Sequence, residues 1–388
     1  LEVLIDKESP IPLYIQVKEY IRDRILSGEL KPLERIPSDE DYAKSLGVSP
    51  TTLEYALQEL SKEDLVFRIK RKGTFVSDKI TNIDSKSSPL CVGVVVPDIK
   101  DPMVADVLMG IETEITEKGY NLIYVNSYWN YDKELSLIRQ LLNRGVKGLI
   151  IYPTDEMCAR SDISSKYLKR IEIPVVMVDR CPFGINSSFV TSKNRDGAYE
   201  AVDYLIKQGH RNIAHITTKY SMTTTVKERF EGYISALLDN GIEVKERLIF
   251  RELNGYGKKD HNKNIELIRE FLRANRDITA IFTINDPIAY EVYMAIKEEG
   301  LEIPEDISVV GFDDSQIALF LYPSLTTVYQ EKSGMGKKAA ELLIESIEGK
   351  ISHIEQIYLP TRLVIRDSVK AIGLARKVKD EVGITSGV

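Results

Sequence analysis

Ser38-Asp39-Glu40-Asp41-Tyr42-Ala43-Lys44-Ser45-Leu46-Gly47-Val48-Ser49-Pro50-Thr51-Thr52-Leu53-Glu54-Tyr55-Ala56-Leu57 reads as two short helices hinged at Leu46-Gly47-Val48. Ser38 suits the N-cap of the first helix and Gly47 its C-terminal end. Ser49 caps the second, and Pro50 falls at its first position, where a missing N–H removes no helical hydrogen bond. Apolar and polar residues then alternate from Leu65 to Val76, the pattern of a β-hairpin. The sum is a winged helix-turn-helix (α+β) over residues 1–76, whose second helix is expected to enter a DNA major groove.

Charge narrows where DNA contact can occur. Residues 1–80 carry thirteen Lys and Arg against fifteen Asp and Glu. Phosphate contacts dominate affinity for DNA, so positive charge has to be concentrated locally. The densest supply is the hairpin, with Arg68, Lys70, Arg71 and Lys72, supported by Lys18, Arg22, Arg24 and Lys44 on helices. The candidate DNA-facing residues are Ser38, Ser49, Thr51, Thr52, Glu54 and Tyr55 from the helices and Arg68, Lys70, Arg71, Lys72, Gly73 and Thr74 from the hairpin. Four basic residues in a turn also suit a solvated tip, but beside a helix-turn-helix the DNA reading is preferred. Glu54 either accepts from a cytosine amino group or is a surface residue paired with a lysine.

A chain of 388 residues exceeds what one core usually serves, so two or three domains are expected. With 43% hydrophobic and 29% charged residues the composition is that of a soluble globular protein, and no apolar run is long enough to span a bilayer. The first thirty residues are amphipathic and charged, so no secretion signal is expected, and a chain beginning at Leu1 suggests a trimmed start. Cys91, Cys158 and Cys181 are too scattered for a disulfide framework or a zinc site and suit a reducing cytoplasm. A net charge of −7 argues against general coating of nucleic acid. Residues 77–89, rich in Ser, Asp and Lys, read as a linker.

Beyond the linker, apolar strands alternate with helical segments. Val92-Gly93-Val94-Val95-Val96, Leu149-Ile150-Ile151-Tyr152, Val175-Val176-Met177-Val178, Ile213-Ala214-His215-Ile216, Ala280-Ile281-Phe282-Thr283 and Ile307-Ser308-Val309-Val310 are runs of the kind found in a parallel sheet covered on both faces. Helices are expected over 104–118, 132–144 and 196–208, and the fold class is α/β. Several strands end in polar clusters, such as Asp179-Arg180, Asn285-Asp286 and Asp313-Asp314. Ligands of open parallel sheets bind beyond such strand ends. Two lobes of this kind can close on a small polar molecule, with carboxylates and an arginine gripping its hydroxyls.

The order and spacing of Pro12-Leu13-Tyr14-Ile15-Gln16-Val17, Ile25-Leu26-Ser27-Gly28-Glu29-Leu30-Lys31-Pro32, Ile36-Pro37-Ser38-Asp39, Leu46-Gly47-Val48-Ser49 and Gly73-Thr74-Phe75-Val76 resemble the winged-helix domain of the GntR family of bacterial transcription regulators. That family usually has arginines where this chain has Glu40, Pro50 and Glu54. Residues 90–368 resemble the two-lobed, periplasmic-binding-protein-like effector domain of the LacI family. The resemblance rests on Val92-Gly93-Val94-Val95-Val96-Pro97-Asp98, Ile173-Pro174-Val175-Val176-Met177-Val178-Asp179-Arg180, Arg229-Phe230-Glu231-Gly232-Tyr233 and Ile307-Ser308-Val309-Val310-Gly311-Phe312-Asp313-Asp314, among others. It implies that Asp155, Arg229, Asp286 and Asp313 hydrogen-bond a sugar, followed by Gln330 and Arg180. Met103 and Val104 stand where relatives often place aromatics, so Trp129, Tyr152 or Phe312 would have to supply an apolar wall. Lys193 stands where an Asp is common. The combination is similar to the hybrid arabinose-repressor family, which implies a homodimer on a palindromic operator, released by a carbohydrate such as L-arabinose. No role is assigned to residues 369–388.

Other classes fit less well. There is no Gly-x-Ser-x-Gly elbow, and His210, His215, His261 and His353 lack metal-ligand spacing, so neither an enzyme nor a metal or cofactor is expected. Gly334-Met335-Gly336-Lys337-Lys338 lacks the first glycine and the Ser or Thr of a phosphate loop and reads as a helix start, with Ala339, Ala340, Leu342 and Leu343 buried. A transport-type sugar-binding protein conflicts with the winged helix. A regulator whose head acts through protein contacts remains the third alternative.

Overall fold

The computed structural model describes residues 5, 12–70, 72–78, 90–219, 223–253 and 260–372, in two units, Leu1–Pro89 and Leu90–Val388. In the first unit, α1 (Leu13–Leu26), α2 (Asp39–Ser45) and α3 (Pro50–Lys62) precede a hairpin of β1 (Val66–Ile69) and β2 (Gly73–Val76). Leu53, Ala56, Leu57 and Leu60 recur at helical spacing and give α3 one buried face, packed with Val17, Ile21 and Ile36. The caps fall where the sequence puts them. Ser38 Oγ accepts from the N–H of Asp41 at 3.3 Å and Ser49 Oγ from that of Thr52 at 3.1 Å. Gly47 takes φ +66°, the left-handed conformation a tight helix end requires. The strands pair antiparallel with Val66 opposite Val76, and Arg35 bridges to Phe75 along the outer edge. Ser77 was expected in the linker. It is instead buried and donates its N–H to Leu65 O at 2.9 Å, so the head includes it. The rest of the predicted linker from residue 79, and Arg71, lie outside the described residues.

The second unit begins with β3 (Cys91–Val96), α4 (Pro102–Glu117), β4 (Asn121–Asn126), α5 (Tyr131–Asn143), β5 (Gly148–Ile151), α6 (Asp155–Ala159), α7 (Ser161–Leu168), β6 (Val175–Val178) and β7 (Ser188–Ser192). The second lobe contains α8 (Asn194–Lys207), β8 (Ile213–Thr218), α9 (Thr224–Asp239), β9 (Ile249–Leu253), α10 (His261–Ala274), β10 (Ala280–Thr283), α11 (Asp286–Glu298), β11 (Ser308–Val310) and α12 (Gln316–Phe320). The chain ends with β12 (Thr327–Gln330), α13 (Lys332–Ile347), β13 (Gln356–Leu359) and β14 (Thr361–Val364).

The first lobe holds a six-stranded parallel sheet, β13-β7-β6-β5-β3-β4, and the second a four-stranded parallel sheet, β11-β10-β8-β9. Their continuous apolar runs are explained by helices on both faces. Val92, Val94 and Val96 point to α4 and α13, whereas Val95 and Leu149 point to α5. The phosphate-loop-like stretch is the first part of α13, with Ala339, Ala340, Leu342 and Leu343 buried. The chain passes between lobes at three places, after β7, after β12 and after β13. The antiparallel pair β12–β14 lies among these crossings.

The expected domain end at residue 368 is passed by four residues. Val309 donates to Ser368 O at 2.9 Å and Ile372 to Gln208 O at 2.7 Å, so the chain packs through Ile372, and 373–388 lie outside the described residues. Among the described residues no helix is long and apolar enough to cross a membrane, and no cluster of His, Cys, Asp and Glu is arranged to hold a metal.

Candidate functional site

A narrow cleft, with about 40 Å³ of free space inside about 570 Å³ of partly solvent-open volume, lies between the lobes. The first lobe contributes Asp101, Tyr152, Asp155, Asp179 and Arg180, the second contributes Arg229, Asn285 and Asp313, and the β12 crossing contributes Gln330. Each side chain is aimed by its place in the fold. Asp155 opens α6 just beyond β5, Asp179 and Arg180 follow β6, and Asp313 follows β11. Asp179 at φ +67° and Asp313 at φ +112° hold left-handed backbone that favours glycine, a strain often found at binding sites.

Arg180 organises the first wall. Its Nε donates to Asp179 at 3.0 Å and its Nη1 to Asp155, while its guanidinium lies 5.4 Å from the ring centre of Tyr152 and 5.8 Å from that of Trp129. Burial works against its charge, but Asp155 and Asp179 outweigh burial and raise its pKa well above the usual value. Thr223 of the second lobe donates to Asp155 at 3.2 Å, a bond from one lobe to the other.

Arg229 organises the second wall. Its Nε donates to Asn194 at 2.9 Å and its Nη1 to Ile284 O at 2.7 Å, with Asp313 Oδ1 at 3.3 Å. Gln330 Nε2 donates to Asp313 at 2.7 Å, while Gln330 Oε1 is buried without any partner. An acceptor left unpaired in a buried site is costly and is satisfied by a ligand that donates.

The structure therefore brings Asp155, Arg180, Arg229, Asp313 and Gln330 around one cavity and leaves Asp286 out of it. Asp286 is fully buried below the cleft floor. Its Oδ1 accepts from Thr327 Oγ1 at 2.6 Å, and its Oδ2 from Ser315 N at 2.7 Å and Ser315 Oγ at 3.1 Å. Both oxygens are committed to holding the turn after β11, which corrects the expectation that Asp286 meets a sugar. Its neighbour Asn285, which caps α11, lines the cavity instead. Phe312 is also core, beneath Arg229 at 3.8 Å, whereas Tyr152 and Met103 line the cleft. Sequence reasoning missed Asp101, although an Asp before Pro102 is a recognisable helix cap, and missed Asn194 as the partner that orients Arg229.

Burial raises the carboxyl pKa of Glu134 to about 7, against the hydrogen bonds it accepts from Thr154. Burial also raises Asp286 and Asp313. A carboxyl raised above its unfolded value stabilises the fold at low pH, and that contribution disappears as pH climbs through the folded value. The effector unit should accordingly melt at a higher temperature at pH 5.5 than at pH 8 in scanning calorimetry. An equal or lower melting temperature at pH 5.5 would contradict this assignment.

In the head, Thr51, Glu54 and Tyr55 are exposed on α3, while Ser38 and Ser49 serve as caps and Thr52 Oγ1 lies 2.8 Å from Ser49 Oγ. Lys70 and Lys72 are exposed on the hairpin. Three expectations change. Arg68 is paired with Asp39 at 2.9 Å and lies 3.8 Å from Glu54, so its charge is locally balanced and Glu54 faces an arginine rather than a lysine. Lys18, Arg22 and Arg24 are likewise matched by Glu63, Glu19 and Glu29. Thr74 is buried and its carbonyl accepts from Ile36 N at 2.9 Å, so it supports the wing rather than presenting a hydroxyl. Beside it, Gly73 at φ +110° leaves room for the Arg35 guanidinium, which a Cβ there would meet at 2.9 Å. Arg35 is exposed and adds a cation beside the hairpin that the sequence pattern did not place there.

Residues 13–76 match the model of bacterial regulatory proteins of the gntR family, and residues 202–369 that of the periplasmic binding protein-like domain. The chain is 31% identical over 374 residues to an arabinose metabolism transcriptional repressor of Geobacillus stearothermophilus, covering 94% of this chain and all of the relative. The transcription regulator CcpA of Lactococcus lactis superposes with a TM-score of 0.65 at 26% identity, over 73% of this chain and all of that one. A LacI family regulator from Enterococcus faecium with bound ribose superposes with a TM-score of 0.62 at 27% identity, again over 73% of this chain and all of that one.

Proposed function

Because the chain belongs to the family of transcriptional repressors that join a GntR-type winged helix to a periplasmic-binding-protein-like effector domain, we propose that it is a sugar-released repressor. It holds a palindromic operator as a homodimer in the cytoplasm and lets go when a free carbohydrate, with L-arabinose the first candidate, closes the cleft. One observation carries the reading: the cavity lined by Asp101, Asp155, Asp179 and Asp313 against Arg180 and Arg229, with Gln330 Oε1 unpaired. An excess of acceptors suits a neutral ligand rich in O–H donors and disfavours a phosphate or carboxylate. The relative named for arabinose metabolism and the ribose-bound neighbour support the same class. Ligand binding favours the closed cleft by as much as it binds that form better, and no cofactor is needed. The test is calorimetry of the full chain with L-arabinose and other free pentoses and hexoses; heats no larger than dilution for every sugar would remove the carbohydrate reading.

The dimer draws support from an exposed apolar group on and just after α12. Leu319 is 58% exposed, Phe320 80% and Tyr322 96%, a cluster of apolar side chains of the kind that marks interaction surfaces. Pairing would cover it and place two heads for two half-sites. The double variant Phe320→Asp, Tyr322→Asp is expected to sediment as a monomer and to lose cooperative operator binding. A variant that sediments like the parent dimer would place the interface elsewhere.

Lys70 and Lys72 supply the phosphate contact of the wing, since Arg68 is already matched by acids. Replacing both by Ala should weaken binding to operator and random DNA alike and reduce the salt slope by about 2. Arg68→Ala should change the slope less. If the double variant keeps the parent's salt slope, the wing is not at the DNA.

A further inference from the structure

A second compartment opens off the cleft and shares Thr218 and Val226 with it. Its free space is about 460 Å³, inside about 920 Å³ of partly solvent-open volume, and falls within the size range of small-molecule sites. Its walls are the rings of Phe183, from the turn after β6, and Phe230 of α9. Lys227 Nζ lies 4.8 Å from the centre of the Phe183 ring, and the Arg251 guanidinium 5.0 Å from that of Phe230. Thr217 of β8 also lines it. That residue is only 3% exposed and its hydroxyl has no hydrogen-bond partner.

This combination differs from the cleft. The cleft sets four carboxylates and two arginines among a few apolar residues such as Met103 and Ile284, whereas here two aromatic faces meet one unpaired buried hydroxyl, with cations above the rings. The cations are not a bare anion trap, because Arg251 pairs with Glu246 and Lys227 lies 3.8 Å from Glu231. What fits is a ring with an apolar face and polar edges. A sugar ring has both, since its C–H face buries against phenyl carbon while its hydroxyls reach Thr217 and Arg251. The shared residues Thr218 and Val226 make the two spaces adjacent. We propose that an oligosaccharide of at least two residues binds more tightly than a free monosaccharide, with its first ring in the cleft and its second against Phe230 in this compartment. The proposal rests on the carbohydrate reading of the cleft and goes beyond it in naming the length of the ligand.

The test is calorimetry of the full chain with L-arabinose, D-xylose and D-galactose, each compared with the corresponding disaccharide, in the parent, in Phe230→Ala and in Thr217→Val. The valine variant keeps the shape of threonine and guards against loss of fold in the alanine variant. For the sugar that binds best, the disaccharide is expected to bind about tenfold or more tighter than the monosaccharide. Each variant should remove most of that gain and leave the monosaccharide affinity within about twofold of the parent. A monosaccharide that binds as tightly as its disaccharide, or variants that weaken both equally, would overturn the proposal while leaving the cleft reading intact. Failure of all six sugars to bind would overturn the cleft reading and this proposal with it.

Discussion

Arg229→Ala is expected to lower affinity for the inducing sugar by about a hundredfold or more, which is roughly 3 kcal/mol at the low end of the cost of breaking a buried ion pair. The arginine is 6% exposed and serves Asn194, Ile284 O and Asp313 at once. Removing it strands the Asp313 carboxylate beside Gln330 and takes the donor from Asn194 Oδ1 at the first crossing between lobes. Arg229→Lys keeps the charge but not the planar fork, so it should fall between the parent and the alanine variant. Calorimetry with the sugar that binds the parent is the check. Parent-like affinity in Arg229→Ala would mean that the ligand sits elsewhere.

Asp286→Ala should act on the fold rather than on the ligand. The carboxylate holds Thr327 Oγ1, Ser315 N and Ser315 Oγ, and it is fully buried. Its loss leaves those donors without acceptors, at about 1–3 kcal/mol for each buried group left unpaired. Three donors at that cost make about 3–9 kcal/mol, so at about 2–4 °C per kcal/mol the melting temperature of the effector unit should drop by at least about 6 °C. The sugar affinity of the fraction still folded should change far less than in Arg229→Ala. A variant that melts with the parent but fails to bind sugar would restore Asp286 to the ligand shell.

The winged helix was legible because its signals are local: two serine caps, Gly47 at the hinge, Pro50 at a first helical position and alternation along the hairpin. The α/β unit was legible because strands covered on both faces become unbroken apolar runs. The edge strand β4, Asn121–Asn126, escaped because its burial is partial and its sequence mixed. Helix starts at Pro102, Tyr131 and Asn194 came one or two residues before the expected ones, since the capping residues Asp101 and Asn130 stand further upstream.

The cleft was legible only as a set of strand ends. Asp286 and Asp313 follow strands in much the same way, and nothing local says that one turns inward to Ser315 and Thr327 while the other meets Arg229. Those partners lie 29 and 41 positions away from Asp286. Arg68 was misjudged for the same reason, because Asp39 is 29 positions distant. Charge counted along the chain missed neutralisation across space.

The central claim is that sugar in the cleft releases the head from DNA. The direct measurement is fluorescence anisotropy of the full chain on DNA from upstream of its own gene, titrated with the sugar that calorimetry shows to bind. The account predicts tight binding without sugar, release of the parent over the concentration range in which the sugar saturates the cleft, and retention of Arg229→Ala on the DNA throughout that range. Sugar that saturates the cleft while the parent stays on its operator, or a chain that never binds that DNA, would contradict it.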